Sequence, residues 1–299
     1  MSTTAPTRYA DHRPAYRTIA WRNARRLSKL AMRPTARLRA LPNYLIVGAQ
    51  RAGTTSLHHY LSQSPAVVPP PLAKGIHWFD VDYHRSEQWY RAQFPLQRTL
   101  RAVGDRVGGL AVTGEASPYY LFHPAVPSRI AQHLPTVRIL VVLRDPVGRA
   151  WSHYHHELAR GFETLAFAEA IKAESSRLAG EAERLLRDEA ARSMSHQHHS
   201  YISRGLYAEQ LERLFDAVDR TRVMIIDSGD LRRDPDGVCA HIAEFLGIPR
   251  WRLDERTAHN ARRYDSIPGE LAASLRERFE EPDAQLAELL GKRFSWMES

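Results

Sequence analysis

Leu45–Leu57 reads LIVGAQRAGTTSL. The apolar run Tyr44–Val47, closed by Gly48, has the character of a central parallel strand. Thr55–Leu61 continues as a helix, with Leu57, Tyr60 and Leu61 at helical spacing. Between them, Gly48 to Gly53 has the outline of a phosphate-binding loop, G-x-x-x-x-G-K-[ST], but Thr54 stands where the lysine belongs. Arg51 supplies a cation three residues earlier. A Gly-rich turn entering a helix aims several backbone N–H groups at one point, with the helix dipole behind them. Ala52, Gly53, Thr54, Thr55 and Ser56 are all small, so an anion can reach that backbone, and three of them add hydroxyl donors. The stretch is an anion cradle on physical grounds.

The rest of the chain places this cradle in a fold. VRILVVLRDP is apolar on both faces from Val137 to Leu143 and stops at Arg144-Asp145-Pro146. VGRAWSHYHHELA then reads as a helix, LYAEQLERLFDAV as an amphipathic helix, VMIID as a further buried strand, and DGVCAHIAEFLG as a helix closed by Gly247 and Pro249. KGIHWFD has the aromatic and β-branched look of a strand, and EQWYRAQF that of a short helix. Apolar strands alternating with helices predict an α/β fold, a central parallel β-sheet flanked by helices. In such sheets ligands bind beyond the carboxyl ends of the strands. The ends after Val47, Leu143 and Ile226 are therefore the candidate site.

Composition narrows the setting. The 299 residues carry a net charge of +8. Residues 1–41 contain ten basic side chains against the single acid Asp11, a net of +9, so the remainder stands near −1. The basicity belongs to an N-terminal extension, residues 1–42, ahead of one domain at 43–299. That arm is expected to pack as a solvated extension, with peripheral contact to an anionic membrane as the alternative; nucleic acid is not an expected partner. Cys239 is the only cysteine and falls in a helical stretch, which predicts a buried structural thiol. No run approaches the roughly 18 apolar residues of a membrane span, and the N-terminus lacks the apolar core of a signal peptide. A soluble cytoplasmic protein is the expectation. The long polar helical region from Leu165, together with SHQHHS, is expected to form a lid at 165–200. His196, His198 and His199, without partnering carboxylates or cysteines, are read as loop and not as metal ligands.

The residues resemble those of a known family. GAQRAGTTSL looks like the 5′-phosphosulfate loop of sulfotransferases that use 3′-phosphoadenosine-5′-phosphosulfate (PAPS), and VVLRDPVGRAWSHY looks like their 3′-phosphate motif. KGIHWFD…YHRSEQWYRAQF resembles a segment of the heparan-sulfate-type branch, and RGLYAEQLERLF and FLGIP fit further on. The resemblance covers residues 43–295 and implies a P-loop NTPase-like sulfotransferase fold. It implies PAPS as co-substrate and no metal. It carries Arg51 onto the position of a lysine that stabilises the leaving phosphate, and Arg144 and Ser152 onto the residues that bind the 3′-phosphate. Arg262 and Arg263, in HNARRYDSIPG, become candidates for a late nucleotide contact, and Tyr207 for the pocket wall. The implied reaction is transfer of a sulfuryl group to a hydroxyl, before an amine, of a small metabolite, glycan or glycolipid.

Two departures matter. Arg51 keeps the charge of the expected lysine but does not give up a proton. The glutamate that serves the branch as base is Gly75 here. His77 is the first candidate to replace it, Glu115 the second and Asp80 the third; an imidazole titrates in the useful range. Ala116 replaces a further acceptor-side lysine of the branch, so a strongly anionic heparan-type acceptor is not expected. Two other readings stay open. One is a P-loop kinase using ATP and Mg²⁺, with Asp145 or Asp227 at a strand end as metal ligand. The other is a catalytically weak nucleotide-binding relative.

Overall fold

The computed structural model describes residues 32–256 and 265–298. Four strands, β1 (Tyr44–Gly48), β2 (Gly114–Ala116), β3 (Arg138–Leu143) and β4 (Val223–Asp227), form one parallel sheet in the order β2-β1-β3-β4. The helices are α1 (Thr54–Ser62), α2 (Glu87–Arg91), α3 (Gln97–Val107), α4 (Val126–His133), α5 (Pro146–Arg160), α6 (Phe167–Leu178), α7 (Glu181–Arg187), α8 (Met194–His198), α9 (Tyr207–Ala217), α10 (Ser228–Arg233), α11 (Pro235–Leu246) and α12 (Gly269–Leu290). Every residue of β1 is buried, as are Ile139–Leu143 of β3, which is why both read as unbroken apolar runs. The β3–β4 register runs from Ile139 opposite Val223 to Leu143 opposite Asp227. Arg144 therefore leaves the sheet beside the end of β4, one strand away from the loop that follows β1.

Local chemistry stops the elements where the site needs them. Asp145 caps α5, its carboxylate accepting from the Val147 and Gly148 N–H groups, with Pro146 in the first turn. Asp227 caps α10 through Gly229 N–H and also accepts from the Ser295 N–H and hydroxyl. Cys239 is buried in α11, and burial pushes its thiol up to about 12. Among the described residues no helix is long and apolar enough to cross a membrane.

Two expectations need correction, those for KGIHWFD and SHQHHS. KGIHWFD is not a strand. Trp78 and Phe79 pack into an aromatic cluster, with Trp78 stacked on Tyr90 at 4.6 Å, and the segment's N–H groups go to side chains instead of a ladder. The long polar region divides into α6 and α7 at Gly180. SHQHHS is not a loop: it contains α8, with His196 and His198 buried. His198 Nδ1 lies 2.9 Å from Glu157 of α5, and His196 Nδ1 lies 2.7 Å from the Tyr119 hydroxyl. Burial alone would raise the Glu157 carboxyl, but His153 and His198 hold it well below the carboxylate range. The histidines fasten α8 to the body. Among the described residues no group of three His, Cys, Asp or Glu side chains could hold a metal ion.

Candidate active site

Gly53, at φ +116°, is the N-cap of α1, a backbone that L side chains rarely adopt. Arg51, two residues earlier, has φ +70° despite its side chain. Such a conformation costs on the order of 1–3 kcal/mol and persists only where the surroundings hold it. Here Arg144 donates from Nη1 to the Arg51 carbonyl at 3.2 Å, and Arg51 Nε donates to the Ser152 hydroxyl at 3.0 Å. The loop after β1, the arginine after β3 and the serine on α5 thus form one constellation. Burial, with Arg232 close by, lowers the Arg144 pKa from its ordinary value, and a guanidinium tolerates that without losing its charge. Tyr207 is buried below them, and its hydroxyl donates to the Arg144 carbonyl at 2.8 Å. It supports the strand end from beneath. Thr54 and Ser56 are buried in the first turn of α1, while Thr55 is half-buried. Arg262 and Arg263 lie outside the described residues.

The opposite wall is the segment Lys74–His77, clasped by the end of β2. Ala116 N–H donates to the Lys74 carbonyl at 2.9 Å, Ile76 N–H to Glu115 Oε2 at 2.7 Å, and His77 N–H to the Ser117 hydroxyl oxygen at 3.1 Å. Glu115 is fully buried and also accepts from the hydroxyls of Tyr90 (2.8 Å), Tyr120 (2.9 Å) and Ser117 (2.7 Å). Burial raises its pKa, and these bonds oppose the rise. Its position corrects its candidacy as proton acceptor: it is a scaffold carboxylate with four donors and no exposed face. Replacing Glu115 with leucine strands those buried donors, at roughly 1–3 kcal/mol for each that finds no partner. The milder Glu115→Gln variant is expected to lose stability in chemical denaturation while keeping kcat per folded molecule within a few-fold. A stable Gln variant with kcat down a hundredfold would return Glu115 to the role of base.

His77 is the second non-glycine residue with positive φ, at +58°; among the described residues it shares that property only with Arg51. Its Nδ1 lies 2.9 Å from Asp80 Oδ2, whose side chain is fully buried, while 38% of the imidazole's surface is exposed. A Cβ built on Gly75 would lie 3.3 Å from His77 Nε2 and 2.7 Å from the Ala116 carbonyl oxygen. The space a side chain at 75 would enter is thus bordered by the histidine ring. Partial burial lowers the imidazole pKa, but the Asp80 charge and hydrogen bond, with Glu115 and Asp82 behind, raise it to about 9.

Two groups around the loop take roles that the sequence did not assign to them. Lys74 Nζ donates to Thr55 Oγ1 at 2.7 Å, across from Arg51. Asp80, ranked as a third base, orients His77 instead. Both stand in KGIHWFD, at positions where the resemblance expects a lysine and an aspartate, but their roles come from what the turn at 74–80 brings together.

A parallel α/β sheet with a phosphate-binding turn at one strand end, completed by an arginine from the neighbouring end, defines a nucleotide-dependent transferase of P-loop type. The sulfotransferase domain family matches residues 41–264, and the chain belongs to that family, the PAPS-dependent sulfotransferases. The human bifunctional heparan sulfate N-deacetylase/N-sulfotransferase 2 is 31% identical over 216 residues, 70% of this chain and 22% of its own length. The mouse heparan sulfate glucosamine 3-O-sulfotransferase 3B1 is 26% identical over 285 residues, 86% of this chain and 65% of its own. The crystal structure of a sulfotransferase from Alicyclobacillus acidocaldarius superposes with a TM-score of 0.63 at 30% identity, over 87% of this chain and 100% of that one. The chain thus spans about a fifth of the length of the N-deacetylase/N-sulfotransferases it matches.

Proposed function

We propose that this chain transfers the sulfuryl group of PAPS to a hydroxyl, before an amine, of a small metabolite, glycan or glycolipid, by in-line displacement without a metal. The observation that carries this reading is the joining of the two nucleotide motifs: Arg51 bonded to Ser152, and Arg144 bonded to the Arg51 carbonyl. The group PAPS supplies is an activated sulfuryl on a phosphate leaving group. Arg51, the backbone of 52–56 and the hydroxyls of Thr54, Thr55 and Ser56 would hold the phosphosulfate. Arg144 and Ser152 would hold the 3′-phosphate. His77, oriented by Asp80, would take the acceptor's proton.

The acceptor side favours a modestly charged partner. The relatives' names concern heparan sulfate, but Gly75 and Ala116 remove an acid and a cation that the resemblance expects there. The cover at 165–200 reaches the same region, since Arg192 donates to the Val81 carbonyl and to Asp82. The basic arm is read as a solvated extension, with peripheral membrane contact as the alternative, and the compartment as the cytoplasm. A kinase is less well supported, because Asp145 and Asp227 are both engaged as helix caps. A site without a base is also less well supported, because His77 has an orienting carboxylate.

Titration calorimetry with 3′-phosphoadenosine-5′-phosphate (PAP), against ATP with Mg²⁺, separates the readings. PAP is expected to bind at least a hundredfold more tightly. Absence of PAP binding, or tighter ATP binding, overturns the assignment.

A further inference from the structure

We propose that Lys74 is a second cation of the phosphosulfate site and the proton donor to the oxygen that leaves sulfur. This rests on the sulfotransferase reading above.

Three observations on one side chain carry it. Lys74 Nζ reaches the first turn of α1, bonding Thr55 Oγ1 at 2.7 Å and leaving two further N–H donors for a ligand. Among the described residues no carboxylate lies within ion-pair distance of it. Its neighbours are instead Arg51 and His58. Burial first, then Arg51, lowers its pKa to about 8; His58, for its part, is pushed down to about 4 by burial and then by Lys74. A half-buried ammonium set beside a guanidinium and a helix N-terminus is unfavourable unless an anion joins them. The anion this geometry accepts lies between the Arg51 loop and Thr55.

The chemistry then divides between two cations. Arg51 stabilises charge but cannot release a proton. Lys74 is protonated at neutral pH and, with its lowered pKa, can release one. The acceptor oxygen bonds to sulfur as the bond from sulfur to the bridging oxygen breaks, and the electron pair of that bond stays on the bridging oxygen. Lys74 gives its proton to that oxygen, and His77 takes the proton of the acceptor hydroxyl. Water then reprotonates Lys74 and deprotonates His77.

The decisive measurement is proton uptake on PAP binding, read by calorimetry at pH 8.5 in buffers of different ionisation enthalpy. A lysine of pKa about 8 is mostly neutral at that pH, so its recruitment by a phosphate draws in about 0.7 proton. Lys74→Arg is expected to abolish that share of the uptake while keeping affinity within tenfold. Lys74→Met is expected to weaken PAP binding at pH 7 at least tenfold, with circular dichroism checking the fold. In turnover, Lys74→Arg is expected to lose kcat more than donor KM and to lose the alkaline limb near pH 8. Unchanged proton uptake in Lys74→Arg, or wild-type affinity in Lys74→Met, overturns the proposal and leaves the sulfotransferase reading standing. A wild-type protein that does not bind PAP overturns both.

Discussion

Replacing His77 with alanine is expected to lower kcat by about 10²–10⁴-fold, the usual contribution of a positioned base, while PAP affinity stays within threefold. The expectation comes from the imidazole's two sides. Asp80, fully buried, faces Nδ1 and so fixes the proton there in the neutral ring, which makes Nε2 the acceptor on the Gly75 side. The pH dependence follows from the sign of the shift. The folded imidazole, at about 9 against an ordinary 6.5, binds its proton more tightly than the unfolded one. Its contribution to stability is full below pH 6.5 and lost as pH rises through 9. Catalysis runs the other way, because only the neutral ring accepts a proton. Turnover is therefore expected to climb tenfold per pH unit from neutrality to about 8, where loss of the Lys74 proton levels it. Asp80→Asn should move that limb down toward 6.5 and reduce the plateau. The checks are a kcat profile with any acceptor that turns over and PAP calorimetry on each variant. Full turnover by His77→Ala would remove the assignment.

The sequence could be read furthest where a function is local. LIVGAQRAGTTSL contains its own strand, turn and helix start, and VRILVVLRDP contains its strand and its stop, so the parallel sheet and the nucleotide side follow from neighbours in the chain. The acceptor side is different. β2 is three residues long, too short for a period, and exists because Gly114–Ala116 pairs with Tyr44–Ile46. Glu115 reads as a free acid in GEASPYY, and only the approach of Tyr90, Tyr120 and Ile76 makes it a scaffold. KGIHWFD has strand composition, but Ser117, Tyr120 and Glu115 collect its N–H groups and turn it. Lys74 and Asp80 likewise acquire roles across a turn that no spacing rule describes. Long-range partners decided each of these positions.

Arg51→Gly is expected to reduce kcat/KM for the donor by about 10²–10³-fold, the typical cost of removing one donor aimed at developing charge. Stability should hardly change. Glycine adopts φ +70° freely, relieving about 1–2 kcal/mol of left-handed strain, which offsets the loss of one side-chain bond such as that to Ser152, at roughly 0.5–1.5 kcal/mol. The two nearly cancel, so a melting temperature within a few degrees of wild type is the outcome to look for. A variant that melts far lower would make Arg51 a structural residue. A variant that keeps its rate would move the leaving-group cation elsewhere. Arg51→Lys then asks which cation handles the proton. If Lys74 does, the exchange at 51 alone brings little gain in kcat, because the proton already has a source. In a Lys74→Met background the same exchange should recover at least tenfold, since a lysine at 51 restores a releasable proton beside Thr55. That non-additivity is the mark of two side chains sharing one task. Additive effects would mean that Arg51 and Lys74 act on separate steps. The strained backbone at 51 would then serve to aim a charge, with the proton coming from solvent.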